Sequence, residues 1–354
     1  MSRVSAQAGI SPCAYPALSW RLITKLSTAA DLERKTHIVL AAGNTVVLKP
    51  AEDACLSVLR LAELAVSHGL PVGALNVVPG LGSEAGAALA AHPDIDHLSF
   101  TGSPETGTHV AQAAAQHHVP VTLELGGKSP QLVFADADLD AALPAVVRGI
   151  IQNAGQTCSA GSRLLVQREI ADSVVANLCE RFATLRCDAG EADADCGPLI
   201  SARQKAKLEA RLVAAEADGI RVAAKGKLAP GARSGGHFVL PQLLTDIPEG
   251  HEVLQEELFG PVLVVQVFED EAEALALANA TDFGLCAGIW THDGGRQLRL
   301  AKGIRSGQVF INNYGAAGGV ELPFGGVGRS GHGREKGFEG LRSYTRIKTV
   351  AIKH

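Results

Sequence analysis

The stretch "NTVVLKPAEDACLSVLRLAELAVSHGLPVGALNVVPG", residues 44–80, decides the fold class. It begins with a β-branched run closed by Pro50, which is typical of a buried strand. Apolar residues at helical spacing follow and stop at Gly69, and "ALNVVPG" is a second short apolar run. Strand, helix and strand in this order predict two parallel strands joined by a right-handed crossover.

The same alternation continues along the chain and predicts an α/β fold with two domains. "DHLSFTGS" and "PVTLELGG" resemble strands, and the helical segment between them has Pro104 in its first turn. A second α/β series follows, with a helix at "LDAALPAVVRGIIQN", a polar helix near 201–218 and strands at "PVLVVQVF" and "AGIWTHD". The final "YTRIKTVAIKH" alternates polar and apolar residues, which favours an edge or interface strand.

Composition narrows the functional class of this 354-residue chain. The net charge of -5 and the lack of a basic run argue against a nucleic-acid groove. Seven irregularly spaced cysteines without a C-x-x-C pair exclude a disulfide framework or a zinc motif and favour a reducing compartment. No apolar run is long enough to span a membrane, and the N-terminus lacks a secretion signal, so we expect a cytoplasmic protein.

Two residues are candidates for chemistry. Cys158 lies in the Gly-rich "NAGQTCSAGSR", where a thiol has no obvious packing role and a carbonyl could approach closely. Its alternative interpretation is a small structural residue. Glu124, in "LELGGKSP", is a carboxylate between apolar residues at a strand end; it is either a general base or a partner of Lys128.

Two further segments favour a dinucleotide. Lys49 and Glu52 follow a strand directly, where an acidic residue can hold ribose hydroxyls; the alternative is a solvated turn. Gly102 and Ser103 lie between a strand and a helix N-terminus, a position that suits a pyrophosphate. This second pattern is weak by itself because it lacks the spacing G-x-G-x-x-G.

Six motifs taken together carry a family resemblance. They occur in the order "LAAGNTVVLKPAE", "FTGSPETG", "LELGGKSP", "GQTCSAGSR", "EELFGPVL" and "LPFGGVGRSGHGRE". In this order they resemble the NAD(P)-dependent aldehyde dehydrogenase superfamily from about residue 40 to residue 354. The resemblance implies a Rossmann-type parallel-sheet cofactor domain at 1–125, an α/β catalytic domain at 126–330 and an oligomerisation segment at 331–354.

The same resemblance implies the site residues. Cys158 matches the nucleophile and Glu124 the general base of an oxidation that passes through a thiohemiacetal and a thioester to a carboxylic acid. The cofactor would be NAD rather than NADP, because the Glu52 carboxylate repels a 2′-phosphate. The matching cofactor residues are Lys49, Glu52, Gly82, Thr101, Gly102, Ser103, Gly107, Glu257 and Phe259. The implied partners are a small aldehyde and further copies of the chain.

The N-terminal region departs from the family pattern. Motifs that normally precede "GISPCAYP" are absent, which suggests an N-terminally truncated chain, and Cys13 and Ala14 stand where the family has Trp and an oxyanion-binding Asn. The polar "TKLSTAADLERKTH" suggests an inserted surface helix. These departures leave open a weak or inactive truncated paralogue that binds nucleotide or joins full-length subunits. A third reading, a CoA-acylating enzyme, has no need of Glu124.

The remaining cysteines have no assigned chemistry. Cys187 and Cys196 flank the acidic "DAGEADAD", which suggests a metal site, but a flexible surface loop is the favoured interpretation. Cys55, Cys179 and Cys286 occupy apolar positions and are predicted to lie in the core. No metal is expected.

Overall fold

The structure, a computed structural model, describes residues 22–23, 29–232, 235–315 and 319–354, with side chains from Lys35 onward. Cys13 and Ala14 lie outside these residues. Within the described part of the chain, no helix has both the length and the apolar character that crossing a bilayer requires.

Residues 44–80 form part of a parallel sheet, as predicted from their sequence. Strands β1 (Leu22–Ile23), β2 (Val46–Lys49) and β3 (Leu75–Val77) lie side by side in that order, and both pairs are parallel. Helix α1 (Ala29–Ala41) joins the first pair and α2 (Leu56–Ser67) the second. Pro50 and Gly69 mark the ends of strand and helix because one lacks an N–H and the other tolerates a positive φ.

A second sheet follows the same rule until its last strand. The short helix α3 (Ala87–Ala90) leads to β4 (Leu98–Thr101), which is parallel to β5 (Val121–Glu124). The crossover between them is α4 (Pro104–Ala115). The third strand arrives from far along the chain and runs antiparallel to β5, so that Gly331 is paired with Glu124.

The remainder of the chain is organised around a seven-stranded sheet. Its strand order is 15-14-6-7-12-11-9, and every neighbouring pair is parallel except β9 with β11. The strands are β6 (Pro130–Val133), β7 (Arg163–Gln167), β9 (Arg221–Lys225), β11 (Gln242–Thr245), β12 (Val262–Phe268), β14 (Cys286–Trp290) and β15 (Gln308–Ile311).

Six helices cover this sheet, and a further helix and short strand pairs complete the described chain. The covering helices are α5 (Leu139–Ile151), α6 (Ala171–Thr184), α7 (Ala202–Ala217), α8 (Glu252–Gln255), α9 (Glu271–Ala278) and α10 (Gly294–Gly303). Helix α11 (Gly337–Ser343) instead contacts α1. The short strands are β8 (Arg186–Cys187), β10 (Lys227–Leu228), β13 (Phe283–Gly284), β16 (Val327–Gly328) and β17 (Gly331–His332). Strand β8 pairs with β10, β13 with β16, and β17 with β5.

The two faces of the seven-stranded sheet bury separate apolar clusters. In β7, Leu164 and Val166 face the cluster that contains Leu178 and Phe182 of α6. Leu165, between them, faces the opposite cluster with residues of α9 and α10. A strand buried on both faces is apolar at nearly every position, which is why these strands appear in the sequence as continuous runs.

Three predictions about individual segments need correction. The polar "TKLSTAADLERKTH" contributes to a helix, but Lys35 and Thr36 in α1 are buried and not on the surface. Residues 345–354 form no strand. The acidic segment between Cys187 and Cys196 is exposed at residues 190–193 and at Asp195, as expected of a surface loop, whereas the two flanking cysteines are buried. Of the three cysteines predicted in the core, Cys286 is buried, whereas Cys55 and Cys179 are half-buried.

The Arg163 side chain links the start of β7 by hydrogen bonds to two other parts of the chain. Its side chain is buried and donates to the carbonyl oxygens of Lys128, Leu277 and Ala278 at 2.9–3.0 Å. Burial lowers the pKa of this guanidinium to about 10, which leaves it charged at neutral pH. It thus ties the segment before β6 to the end of α9.

We expect Arg163→Met to lower the free energy of unfolding by about 3 kcal/mol or more, because it leaves three buried carbonyl oxygens without this donor. Urea denaturation measures the change. Arg168→Met is the matched control: its pair with Glu269 is more than half exposed, so the expected loss is below about 1 kcal/mol. Equal losses in the two variants would contradict this account of Arg163.

Candidate active site

The Glu124 carboxylate ends β5 in a buried position. The residue is 2% exposed, and neither carboxylate oxygen has a hydrogen-bond partner among the described residues. A β-carbon on Gly325 would lie 2.6 Å from its Oε1, so the backbone of the "LPFGG" motif passes directly over the carboxylate. Glu124 therefore does not pair with Lys128, which was the alternative interpretation of its sequence position.

Burial and charge both raise the pKa of Glu124. Desolvation is the larger cause, and the neighbouring Glu335 carboxylate adds to it, while Lys35 and Arg334 oppose both. Glu335 accepts an ion pair from Lys35 at 2.6 Å, and Lys35 also donates to Ser99 Oγ at 3.0 Å. Glu124 therefore lies beside a buried ion pair that connects α1, β4 and the C-terminal motif.

Cys158 lies in a loop with an uncommon backbone conformation. Asn153, Ala154 and Gly155 all have positive φ. This conformation is strained at Asn153 and Ala154 because they carry a β-carbon. Asn153 and Gln156 then bridge the turn, since each side-chain amide donates to the other's backbone oxygen at 3.0–3.1 Å. The half-buried thiol of Cys158 follows this braced turn.

Two contacts position the loop that carries Cys158 against the rest of the site. Tyr314 Oη donates to the Ser159 carbonyl oxygen at 2.8 Å. On the other side, a β-carbon on Gly127 would lie 2.5 Å from the Cys158 carbonyl oxygen. Only a glycine at 127 lets the loop approach this closely, so "LELGG" positions both Glu124 and Cys158.

Lys49, Glu52 and Gly82 are brought together as a second cluster. Glu52 Oε1 accepts from Lys49 Nζ at 3.0 Å and from the Gly82 amide at 2.6 Å. The ammonium group and the carboxylate lie just beyond the carboxyl end of β2, where parallel sheets bind ligands. This donor and acceptor set suits the two hydroxyls of a ribose.

The residues after β4 form the start of helix α4. Thr101 ends the strand, Gly102 donates its amide to the Glu124 carbonyl oxygen at 3.1 Å, and Ser103 caps the helix. Gly107 is buried in the first turns of α4 and packs on Leu125. The helix N-terminus thus lies beside the strand that carries the base, and its amides and macrodipole favour a phosphate group.

Glu257 and Phe259 complete the predicted set. Glu257 Oε1 accepts from the Gly127 amide at 3.1 Å, and its carboxylate lies against Gly126, where a β-carbon would collide with it. Burial raises the pKa of Glu257 to about 7. Phe259 has a φ of 54°, and its carbonyl oxygen accepts from Gln204 in α7 at 2.9 Å.

These residues fit a dinucleotide better than a metal. They provide a ribose-binding pair, a helix N-terminus and a second buried carboxylate, and a small cavity lies between Gly127, Thr157, Glu257 and Phe259. Among the described residues, no group of three or more His, Cys, Asp or Glu side chains has an arrangement that could hold a metal ion. The set can combine an accessible thiol, a desolvated carboxylate and bound nucleotide.

Sequence reasoning missed the groups that surround the two candidates. Lys35 looked like part of a solvated charge run, although Lys35 and Val39 are four residues apart on one helical face and both are buried. That spacing was the signal in the sequence that this face of the helix is buried. Ser99, Gln204 and Tyr314 gave none, because their partners are distant in sequence.

We expect Lys35→Met and Glu335→Gln each to lower the free energy of unfolding by about 3–5 kcal/mol, because each leaves an uncompensated buried group. The double variant should lose less than the sum, since it removes both charges. Urea denaturation of all four proteins gives the coupling. The exposed pair Arg60 and Glu63 is the matched control, and there the coupling should be below about 1 kcal/mol. Additive losses for the buried pair would contradict its coupling.

Comparison with known proteins places the whole arrangement in a family. Residues 29–350 match the model of the aldehyde dehydrogenase family. An aldehyde dehydrogenase of Emericella nidulans is 42% identical over 345 residues, which are 96% of this chain and 66% of the relative. The chain therefore spans slightly less than two thirds of that curated relative.

Solved structures agree with this comparison. A Burkholderia cenocepacia protein described as a candidate aldehyde dehydrogenase superposes with a TM-score of 0.94 at 59% identity, covering 96% of this chain and 71% of that one. An aldehyde dehydrogenase from Bacillus cereus, solved as its NAD+ complex, gives a TM-score of 0.89 at 39% identity, with 94% and 67% coverage. By sequence and by fold, this chain belongs to the aldehyde dehydrogenase family.

Proposed function

We propose that this protein oxidises an aldehyde to a carboxylic acid with NAD as the hydride acceptor. The observation that carries the proposal is the joint placement of Cys158 and Glu124. Glu124 is a buried carboxylate without a hydrogen-bond partner among the described residues. Gly126 and Gly127 follow it in the chain, and Gly127 packs against the carbonyl oxygen of the half-buried Cys158. The family membership and the NAD+ complex of the Bacillus cereus relative support the same reaction.

Cys158 is the proposed nucleophile. Its thiolate attacks the aldehyde carbon and forms a thiohemiacetal, whose oxyanion is stabilised by nearby backbone amides. NAD, when bound, accepts the hydride. Loss of that hydride from the substrate carbon leaves a thioester on Cys158, and the braced turn before the thiol keeps the acyl group oriented.

Glu124 is the proposed general base for hydrolysis. It removes a proton from water, which then attacks the thioester carbonyl and releases the acid from Cys158. A raised pKa makes the ionised carboxylate a stronger base. Because only the ionised form can accept the proton, the rate of this step increases as the pH rises through that pKa. The ion pair of Lys35 and Glu335 fixes the positions of the two charged groups beside the Glu124 carboxylate.

Nine residues are proposed to hold the cofactor. Lys49 and Glu52 bind the adenosine ribose with Gly82 beside them, and the Glu52 carboxylate disfavours the 2′-phosphate of NADP. Thr101, Gly102, Ser103 and Gly107 line the helix N-terminus under the pyrophosphate. Glu257 and Phe259 orient the nicotinamide end of the molecule.

The proposed setting is a cytoplasmic homo-oligomer that acts on a small aldehyde. Ile347, Val350 and Ile352 are largely exposed in a segment without secondary structure, and a neighbouring copy of the chain would cover them. The proposed domain division is 1–125 for the cofactor, 126–330 for the thiol and 331–354 for assembly. Cysteine usage without a disulfide pattern supports a reducing compartment.

Cys158→Ala should reduce NADH formation from an aldehyde panel by roughly 10⁴-fold or more, because no other group supplies the nucleophile. Absorbance at the NADH band measures this rate, and NAD binding followed by thermal shift should persist. Cys179→Ser, a second half-buried thiol, is the matched control and should keep the parent rate. NAD binding without oxidation in the unsubstituted protein would instead indicate an inactive nucleotide-binding paralogue.

Glu124→Gln should separate the two chemical steps. We expect one rapid turnover of NADH and an acyl-enzyme visible by mass spectrometry, with steady-state turnover lower by roughly 10²–10⁴-fold. Glu335→Gln removes a charge that raises the pKa of Glu124, so the acid limb of the rate profile should move to lower pH. A shift to higher pH, or hydrolysis at the parent rate in Glu124→Gln, would contradict the assigned role.

A further inference from the structure

Cys187 and Cys196 form a buried thiol pair outside the proposed active site. Cys187 ends β8, and Cys196 is its register partner in an isolated parallel bridge. Both side chains lie in the apolar cluster that contains Leu199, Leu208 and Leu212. Among the described residues, no third metal ligand joins them, so the metal site that their spacing suggested is not formed.

The backbone holds the two residues at a distance that a disulfide can span. The Cys196 amide donates to the Arg186 carbonyl oxygen at 3.2 Å, and the Asp188 amide donates to the Cys196 carbonyl oxygen at 3.1 Å. Register partners on neighbouring strands lie about 4.8 Å apart, and disulfides join Cα atoms that are about 4.4–6.8 Å apart. Bond formation therefore requires little backbone movement.

The two sulfur atoms already face each other. The thiol groups are hydrogen-bonded, and this contact lowers the pKa of Cys187 while it raises that of Cys196. Cys196 Sγ also donates to the Gly197 carbonyl oxygen at 3.6 Å, so Cys196 is the thiol whose proton is held and Cys187 is the one that ionises. This asymmetry is typical of an attacking thiol beside a resolving thiol.

The eight residues between the cysteines offer a route for small oxidants. Glu191, Asp193 and Asp195 are exposed, and Asp193 has a left-handed φ of 47°. Arg186 and Asp195 meet at the base of this loop through an ion pair at 3.9 Å and a hydrogen bond from the Arg186 amide to Asp195 Oδ2 at 2.8 Å. Opening of an exposed polar loop costs much less free energy than global unfolding, so the buried sulfur atoms become accessible without loss of the fold.

We propose that Cys187 and Cys196 are a covalent modification site that closes to an intrachain disulfide on reaction with a peroxide. The Cys187 thiolate attacks a peroxide oxygen, breaks the O–O bond and becomes a sulfenic acid as hydroxide leaves. The Cys196 thiol then attacks that sulfur, and its proton leaves with the sulfenic hydroxyl group as water. The proton that Cys187 lost on ionisation neutralises the hydroxide. Two thiols and one hydrogen peroxide thus give one disulfide and two waters.

The bond would anchor a segment that reaches the proposed active site. Four residues after Cys196, the Ile200 amide donates to Gln156 Oε1 at 3.0 Å, beside the thiol loop. Gln204, in the same segment, donates to the Phe259 carbonyl oxygen. A covalent tie at Cys196 therefore restrains the residues that support both contacts.

Peptide mass measurement tests the proposal directly, because no Lys or Arg lies between the two cysteines and trypsin releases both in the single peptide 187–203. The protein and its Cys158→Ser variant are treated with hydrogen peroxide, alkylated, digested and analysed without reduction. We expect the unalkylated peptide at a mass lower by about 2 Da than the dithiol form, and recovery of the dithiol after reduction. The oxidised protein should melt about 2–4 °C higher.

Substitutions and a second oxidant separate the outcomes. Cys187→Ala must abolish the lighter peptide, whereas Cys179→Ser must leave it unchanged. The protein is also equilibrated in glutathione buffers with an increasing oxidised fraction. At equilibrium the redox potential of the buffer decides whether the disulfide forms, so the result does not depend on how fast an oxidant reaches the buried sulfur atoms. A dithiol peptide at the most oxidising poise, or glutathione attached singly to either cysteine, would overturn the proposal. Neither readout depends on aldehyde oxidation, so the proposed enzyme activity and this site are tested separately.

Discussion

The constraint on which the structure depends is the burial of one carboxylate without a hydrogen-bond partner. Glu124 loses its hydration at the end of β5 and finds no donor among the described residues. An isolated ionised carboxylate in such a place is costly, so the pKa of the group shifts upward. The ion pair of Lys35 with Glu335 lies beside it, and Lys35 also donates to Ser99. Three distant parts of the chain therefore meet around this carboxylate.

The glycine pair after Glu124 connects this constraint to the rest of the site. Gly126 leaves room for the Glu257 carboxylate, and Gly127 leaves room for the Cys158 carbonyl oxygen. The backbone here also donates a hydrogen bond to Glu257. A side chain at either position would move the thiol loop or the second carboxylate away from the base. The short motif thus acts as the meeting point of three segments that lie far apart in sequence.

The two thiol environments of the chain show how packing changes cysteine chemistry. Cys158 follows a strained turn at the surface of the site and is half-buried. Cys187 and Cys196 lie in an apolar cluster, where their closest polar neighbours are each other and nearby backbone. Under the proposed function the first arrangement presents sulfur to an incoming carbonyl, whereas the second places sulfur beside sulfur. The same side chain therefore has an electrophilic carbon as its expected partner in one place and a second thiol in the other.

The sequence by itself determined the strands and helices, the parallel connections and the two residues proposed for chemistry. Those features have local signals: apolar runs, helical spacing, Pro and Gly at ends, and polar groups in glycine-rich loops at strand ends. Only the tertiary structure decided that Lys35 is buried beside Glu335, that Gln204 supports Phe259, and that Cys187 faces Cys196. It also left residues 345–354 without the strand that their alternation predicted, because a strand needs a partner for its backbone hydrogen bonds and the described chain supplies none. Burial and pairing depend on which segments meet in space, such as Gln204 with Phe259 or Lys35 with Glu335, and no local pattern records those meetings.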